Sequence, residues 1–135
     1  MKVYIGNQEV DTNIFKSAKN IELIKYLADD SECTEIILDN ALRDVKTQDL
    51  GACASLIRSK MRNGCKLLIN DLDFDLLCFF YQKSNDLNEA NKILIPSNTL
   101  LNIDLVIALF QSVGLELISK NINGLNFILE FRRAV

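Results

Sequence analysis

Three carboxylates alternate along Asp71, Asp73 and Asp75. Acids at this spacing can hold a hard cation such as calcium, which takes oxygen ligands from closely spaced side chains. An EF-hand loop counted from Asp71 requires Gly at its sixth position and Glu at its twelfth. The sequence supplies Leu76 and Gln82 there. The plainer expectation is a polar strand end in which Asp71 or Asp73 caps the following helix, because a carboxylate satisfies the free N–H groups of a first helical turn.

Cys33, Cys53, Cys65 and Cys78 are separated by 20, 12 and 13 positions, and the chain has no histidine. Without a C-x-x-C pair or a histidine there is no zinc-ligand pattern, and no metal site is expected. Each cysteine sits in an apolar run, which reads as four reduced core thiols in a reducing, cytoplasmic compartment. The absence of histidine also rules out Ser-His-Asp and Cys-His arrangements. Catalysis would fall to Asp, Glu, Lys, Tyr or Cys, or to alignment alone.

The net charge of −3 and pI near 4.9 argue against a nucleic-acid binder, which needs a basic surface to displace counterions. Lys60, Arg62, Lys66, Arg132 and Arg133 read instead as a solvated helix end and a solvated C-terminus. No apolar run approaches the ~20 residues of a membrane span. The opening Met1-Lys2-Val3-Tyr4-Ile5-Gly6 lacks the apolar region of a signal peptide and reads as a strand.

These residues need elements to position them. Residues 2–6 predict a buried strand, and 7–20, rich in Asn, Asp, Thr and Lys, a loop. Residues 21–27 are ambiguous between strand and helix. Residues 34–38 predict a strand. Leu50, Cys53, Ala54, Ile57 and Met61 recur at three and four residues, predicting a helix over 48–61 that Asn63-Gly64 stops. Residues 66–70, apolar on both faces, suit a central parallel strand covered by helices. Residues 73–81 form a helix or an irregular apolar segment, and 83–98 a polar loop closed by Pro96. Ile103, Val106, Ile107 and Phe110 stripe a helix over 99–113, ended by Gly114. Two strands, 115–120 and 125–131, flank an Asn123-Gly124 hairpin signal. The alternation implies one α/β domain over 1–135, with a mostly parallel sheet and a C-terminal antiparallel hairpin. The apolar run around Cys78 cannot all face one side of a helix, so Leu76, Phe79, Phe80 and Tyr81 are candidates for an exposed protein interface.

Four stretches resemble class I S-adenosylmethionine-dependent methyltransferases. Residues 35–45, EIILDNALRDV, resemble the family's strand 4 and the segment after it. Residues 57–71, IRSKMRNGCKLLIND, resemble its helix, Gly-Gly turn and strand 5, with Cys65 in place of the second Gly. Residues 109–115, LFQSVGL, resemble the helix end before strand 6, and 123–130, NGLNFILE, its last hairpin strand. The resemblance covers about residues 32–133 and implies a reduced Rossmann-like fold, closest to compact phage and bacterial members. In the family, a Gly-rich turn after strand 1 and an acid after strand 2 hold S-adenosylmethionine. The resemblance carries these roles onto Gly6 and Glu22, and places Asp39 and Asn40 beside the cleft. Gln8 stands where a further glycine is expected. Between Gly6 and Glu35 there is too little chain for the family's helix, strand, helix and strand. The expectation is a domain truncated in its cofactor-binding part, its catalysis lost and no cofactor bound. It would serve as a protein-binding, homo-oligomeric or assembly module in the host cytoplasm or in a phage particle. The alternative is a minimal active methyltransferase using S-adenosylmethionine.

Overall fold

The computed structural model describes residues 1–84, 88–89, 92 and 99–135. Six strands form one sheet: β1 (Lys2–Ile5), β2 (Phe15–Ala18), β3 (Cys33–Asp39), β4 (Met61–Leu72), β5 (Glu116–Asn123) and β6 (Asn126–Arg132). Their order is β2-β1-β3-β4-β6-β5. The pairings β1–β2, β1–β3 and β3–β4 are parallel, and those of β6 with β4 and β5 antiparallel. The expected hairpin is present, and β6 lies inside the sheet with β5 at its edge. The helices are α1 (Ile24–Leu27), α2 (Leu50–Lys60), α3 (Phe74–Ser84) and α4 (Ile103–Ser112).

Side chains alternate across a strand, so strand pairing sorts residues into rows on two faces. On one face, Val3, Ile36, Leu67 and Phe131 form one fully buried row, and Ile5, Leu38, Ile69 and Leu129 the next. Ile24 of α1, Ala54 and Ile57 of α2, and Val106 and Phe110 of α4 join the same core. The Phe110 and Phe131 rings meet at 5.4 Å. Three helices therefore share one side. The opposite face carries Tyr4, Ile37 and Leu68 in one row, and Ile37, Leu68 and Ile128 belong to neither buried apolar cluster. The two-sided cover expected for residues 66–70 is thus corrected: Leu67 and Ile69 are buried, and Leu68 is half-exposed.

The handedness of the connections explains the asymmetry. Right-handed crossovers from β2 to β3 and from β3 to β4 move the same way along the sheet and share a face. The step from β1 to β2 moves the opposite way, so its connection belongs on the other face. That connection, residues 6–14, contains only bends and a turn. Between strands 1 and 4 of the methyltransferase pattern, this chain has one short strand, a 3₁₀ turn (Ile21–Leu23) and the single turn of α1. The helix after the first strand and one further strand are missing.

Two other expectations change. The loop expected over 7–20 contains β2, a short edge strand whose Lys16 and Ser17 are both exposed. It shows no alternating pattern because pairing with β1, rather than its own burial, holds it. Gly64 does adopt a positive φ of 81°, yet the helix has already ended at Lys60. The turn is an irregularity within β4, where the partners Cys33 and Glu35 face Met61 and Lys66, and the Gly64 N–H donates to the Arg133 carbonyl at 2.8 Å. α4 begins at Ile103 with Asn102 as its cap, the Asn102 Oδ1 accepting from Leu105 N at 2.7 Å. Of the loop expected over 83–98, Lys83 and Ser84 belong to α3, and Asn88, Glu89 and Lys92 are helical; Pro96 and the remainder lie outside the described residues. Among the described residues no helix is long and apolar enough to cross a membrane.

The one-sided core predicts unequal costs for adjacent leucines. Leu67→Ala is expected to cost about 2–5 kcal/mol, the range for a fully buried position, and Leu68→Ala about 1 kcal/mol. Urea denaturation of the two variants measures the difference.

Candidate functional site

Open α/β sheets bind ligands at the carboxyl ends of their parallel strands. Here those ends bring Gly6, Asp39, Asn40, Asn70 and Asp71 together. A chain of side-chain hydrogen bonds crosses this edge. The Tyr4 hydroxyl donates to Asp39 Oδ2 at 2.7 Å and accepts from the Gln8 N–H at 3.2 Å. Asn70 Nδ2 donates to Asp39 Oδ1 at 3.1 Å. Asn126 Nδ2 donates to Asn70 Oδ1 at 3.1 Å and to Asn40 Oδ1 at 3.2 Å. Asn40 turns the chain out of β3 with a φ of 54°, and its N–H donates to the Asn70 carbonyl at 2.7 Å. A short polar side chain tolerates that left-handed conformation.

Gly6 is required by this network. A Cβ at Gly6 would lie 2.6 Å from the Tyr4 hydroxyl oxygen, 2.8 Å from its Cζ and 2.9 Å from the Asp39 carbonyl oxygen. Protein atoms already fill the space beside the turn. Tyr4 is 5% exposed, and burial, followed by its hydrogen bond to Asp39, raises its pKa.

Glu22 stands apart from this group. It lines a cleft of about 540 Å³ on the helix side of the sheet, with Asn20 after β2, Ala41, Asp44 and Val45 after β3, and Cys53 of α2. Asp39 instead lines a shallower hollow of about 310 Å³ on the opposite face, with Tyr4, Gln8, Leu68 and Asn70. Of the four residues carried over from the methyltransferase resemblance, Gly6, Asp39 and Asn40 meet at one edge, and Glu22 faces a different cavity.

Asp71 continues the inward row of Leu67 and Ile69 and is fully buried. Its Oδ1 accepts from its neighbour Leu72 N at 2.8 Å, its Oδ2 from Arg43 N at 3.2 Å, and the Arg43 Nε lies 3.8 Å away. Desolvation dominates and raises its pKa to about 6, opposed by these N–H donors and the Arg43 charge. The contact anchors the 3₁₀ turn Leu42–Asp44 that walls the larger cleft. Thr99 anchors the same wall: its N–H donates to the Arg43 carbonyl at 3.0 Å and its hydroxyl to the Val45 carbonyl. Sequence reasoning missed Thr99 and Tyr4, because both act through partners far away in the chain. Asp73 caps α3, as expected for this run, its Oδ1 accepting from Asp75 N at 3.1 Å. Among the described residues no cluster of acids or cysteines is arranged to hold a metal ion.

The Asp71 carboxyl, raised to about 6, is fully buried. Cys53 borders the cleft, and burial pushes its thiol up to about 12, leaving it protonated at neutral pH. All four cysteines are unbridged, three of them buried and Cys78 half-buried.

No protein-family model and no curated protein matches the sequence. Solved structures do match in fold. A SAM-dependent methyltransferase from Methanosarcina mazei superposes with a TM-score of 0.63 at 12% identity, over 90% of this chain and 67% of its own. One from Thermotoga maritima gives 0.63 at 10% identity, over 88% and 63%. One from Archaeoglobus fulgidus gives 0.62 at 11% identity, over 88% and 67%. The chain therefore has a methyltransferase-like, reduced Rossmann-like fold and spans about two-thirds of the length of these proteins.

Two stability effects follow. Gly6→Ala is expected to destabilise by about 1–3 kcal/mol, because the new methyl group meets backbone as well as the Tyr4 ring. Asp71, with its raised pKa, holds its proton more tightly folded than unfolded, so its contribution is full below about pH 4 and is lost as pH rises through about 6. The difference in unfolding free energy between the parent chain and Asp71→Asn should therefore fall by roughly 2–3 kcal/mol from pH 4 to pH 7. Denaturation at several pH values reads this directly; a constant difference would remove Asp71 as the titrating group.

Proposed function

We propose that this chain is a methyltransferase-like domain that has lost methyl transfer and works as a protein-binding or assembly module, in a larger complex such as a phage particle. One observation carries this reading: the Tyr4 hydroxyl and the Asp39 carbonyl occupy the space beside Gly6. In the methyltransferase pattern a glycine turn leaves that space to the cofactor. Here that side of the turn is taken by the Tyr4 hydroxyl, which is held by its hydrogen bond to Asp39, and this supports a turn that no longer receives S-adenosylmethionine. The missing helix after β1 and the absence of histidine support the same reading. A retained fold does not require a retained activity.

The protein-binding half of the proposal draws on α3. Phe79 and Tyr81 are 58% and 38% exposed, while Leu76 and Phe80 are half-buried. Apolar side chains exposed side by side on one helix support a contact site there.

One feature favours the alternative of a minimal methyltransferase. Glu22 follows β2 and lines the larger cleft, at the chain position where the family's ribose-binding acid belongs. Methyl transfer needs alignment more than a strong base, so such an enzyme would not require histidine.

Calorimetric titration with S-adenosylmethionine and S-adenosylhomocysteine separates the two. The expected result is no heat and no rise in melting temperature at millimolar ligand, since a ligand that binds the native state must stabilise it. Binding at micromolar concentration, abolished by Glu22→Ala, would establish the alternative.

A further inference from the structure

The open face of the sheet is ordered into three rows by strand register. Lys2, Glu35, Lys66 and Arg132 align across β1, β3, β4 and β6. The next row is Tyr4, Ile37, Leu68 and Glu130, and the third is Asp39, Asn70 and Ile128. The first row holds three cations and one acid, the second is largely apolar, and the third presents Asp39. Asp39 accepts hydrogen bonds from Tyr4 and Asn70, and among the described residues no cation pairs with it. The first and third rows are four residues apart along a strand, about 13 Å.

α3 carries the complementary series. Asp75, Phe79 and Lys83 recur every four residues and therefore share one helix face. All three are exposed, and the Lys83 ammonium sits 5.4 Å from the centre of the Phe79 ring. Asp75 and Lys83 are eight residues apart, about 12 Å along a helix. The stripe thus reads acid, aromatic, base over the same span in which the sheet reads basic, apolar, acidic. Within its own chain α3 packs through Leu77 and Phe80 against Leu72 and Leu125, which leaves this stripe outward.

We propose that the chain binds a second copy of itself by seating the α3 stripe on the open sheet face, with Asp75 over the basic row, Phe79 over Ile37 and Leu68, and Lys83 over Asp39. The seated helix takes the part of the layer over Ile37 and Leu68 that the helix-free connection from β1 to β2 leaves uncovered, and parallel sheets are stable when both faces are covered. The contact is reciprocal: each copy offers both a helix and a face, so two contacts around a twofold axis close a dimer. This deepens the protein-binding reading by naming the partner, and it is tested separately. Cofactor binding would overturn the loss of methyl transfer and leave self-association standing; a strictly monomeric chain would do the reverse.

Sedimentation of the full chain from about 10 μM to about 1 mM, the range in which a small contact of this kind saturates, is the experiment. The expected result is a concentration-dependent dimer. Phe79→Asp, at an exposed position that circular dichroism can show to be folded, should weaken it at least tenfold. Asp75→Lys and Lys66→Glu should each weaken it severalfold, and the double variant should recover most of the loss, since the swap restores opposite charges across the contact. Oligomers larger than a dimer that Phe79→Asp abolishes support the same contact repeated head to tail. A monomer at the highest concentration, undiminished association of Phe79→Asp, or a double variant no better than its weaker parent would each overturn the proposal.

Discussion

The hydrogen bond from the Tyr4 hydroxyl to Asp39 determines how the carboxyl edge of this sheet is used. It joins β1 to β3 through side chains at the point where their backbone pairing ends. Asn70 and Asn126 extend the link to β4 and β6. Four strands, two of them parallel neighbours of β3 and one antiparallel, are thereby tied across one edge. Such a network is stable only when its members are satisfied, because a buried polar atom without a partner costs more than the bond is worth. Among the described residues no buried side-chain polar atom lacks a hydrogen-bond partner.

A second constraint is the length of the connection after β1. Residues 6–14 join two parallel strands without a helix. The consequence spreads through the architecture. α1, α2 and α4 all pack on the other face, where Phe110, Phe127 and Phe131 are fully buried. The open face must then tolerate water at its rim, and its sequence reflects this. Lys2 pairs with Glu35 and Lys66 with Glu130 at its polar end, and Ile37, Leu68 and Ile128 remain half-buried in the middle. Ion pairs this exposed contribute little to stability. Their more definite effect is to keep an uncovered sheet from presenting a broad apolar surface.

The back half of the fold was legible because its burial is periodic. Cys53, Ala54 and Ile57 marked α2, Val106 and Phe110 marked α4, and the Asn123-Gly124 pair marked the hairpin, where Gly124 takes a φ of 64°. The front half was not, for physical reasons. β2 has no buried stripe, and the stretch over 21–27 is too short for periodicity to separate helix from strand. Helix cover on one face only was also hidden, since Leu67, Leu68 and Ile69 read alike in sequence although Leu68 points the other way. Within the Asp71–Asp75 run the signal was present in the parity: Asp71 shares its phase with Leu67 and Ile69, and so turns inward, while Asp73 is left to cap α3.

The single glycine of the cofactor turn shows why a conserved-looking residue type needs its neighbours before it can be interpreted. In a nucleotide-binding turn, glycine is needed because any side chain would collide with the ligand. Gly6 is needed here as well, and the atoms a side chain would strike belong to Tyr4 and Asp39. The steric requirement here is set by the protein's own atoms. A residue that matches the family's pattern at Gly6 therefore weighs no more for ligand binding than for its loss. The discriminating residue is Tyr4, whose position on the open face follows from the alternation of Val3 and Ile5 into the core. Glu22 raises the same question in reverse. It lines a roomy cleft, yet that cleft lies on the helix side, whereas Asp39 lines the hollow on the opposite face. A ligand held by Glu22 would have to reach around the edge to meet Asp39, and the side chains of Tyr4, Asp39, Asn70 and Asn126 bridge the strands there.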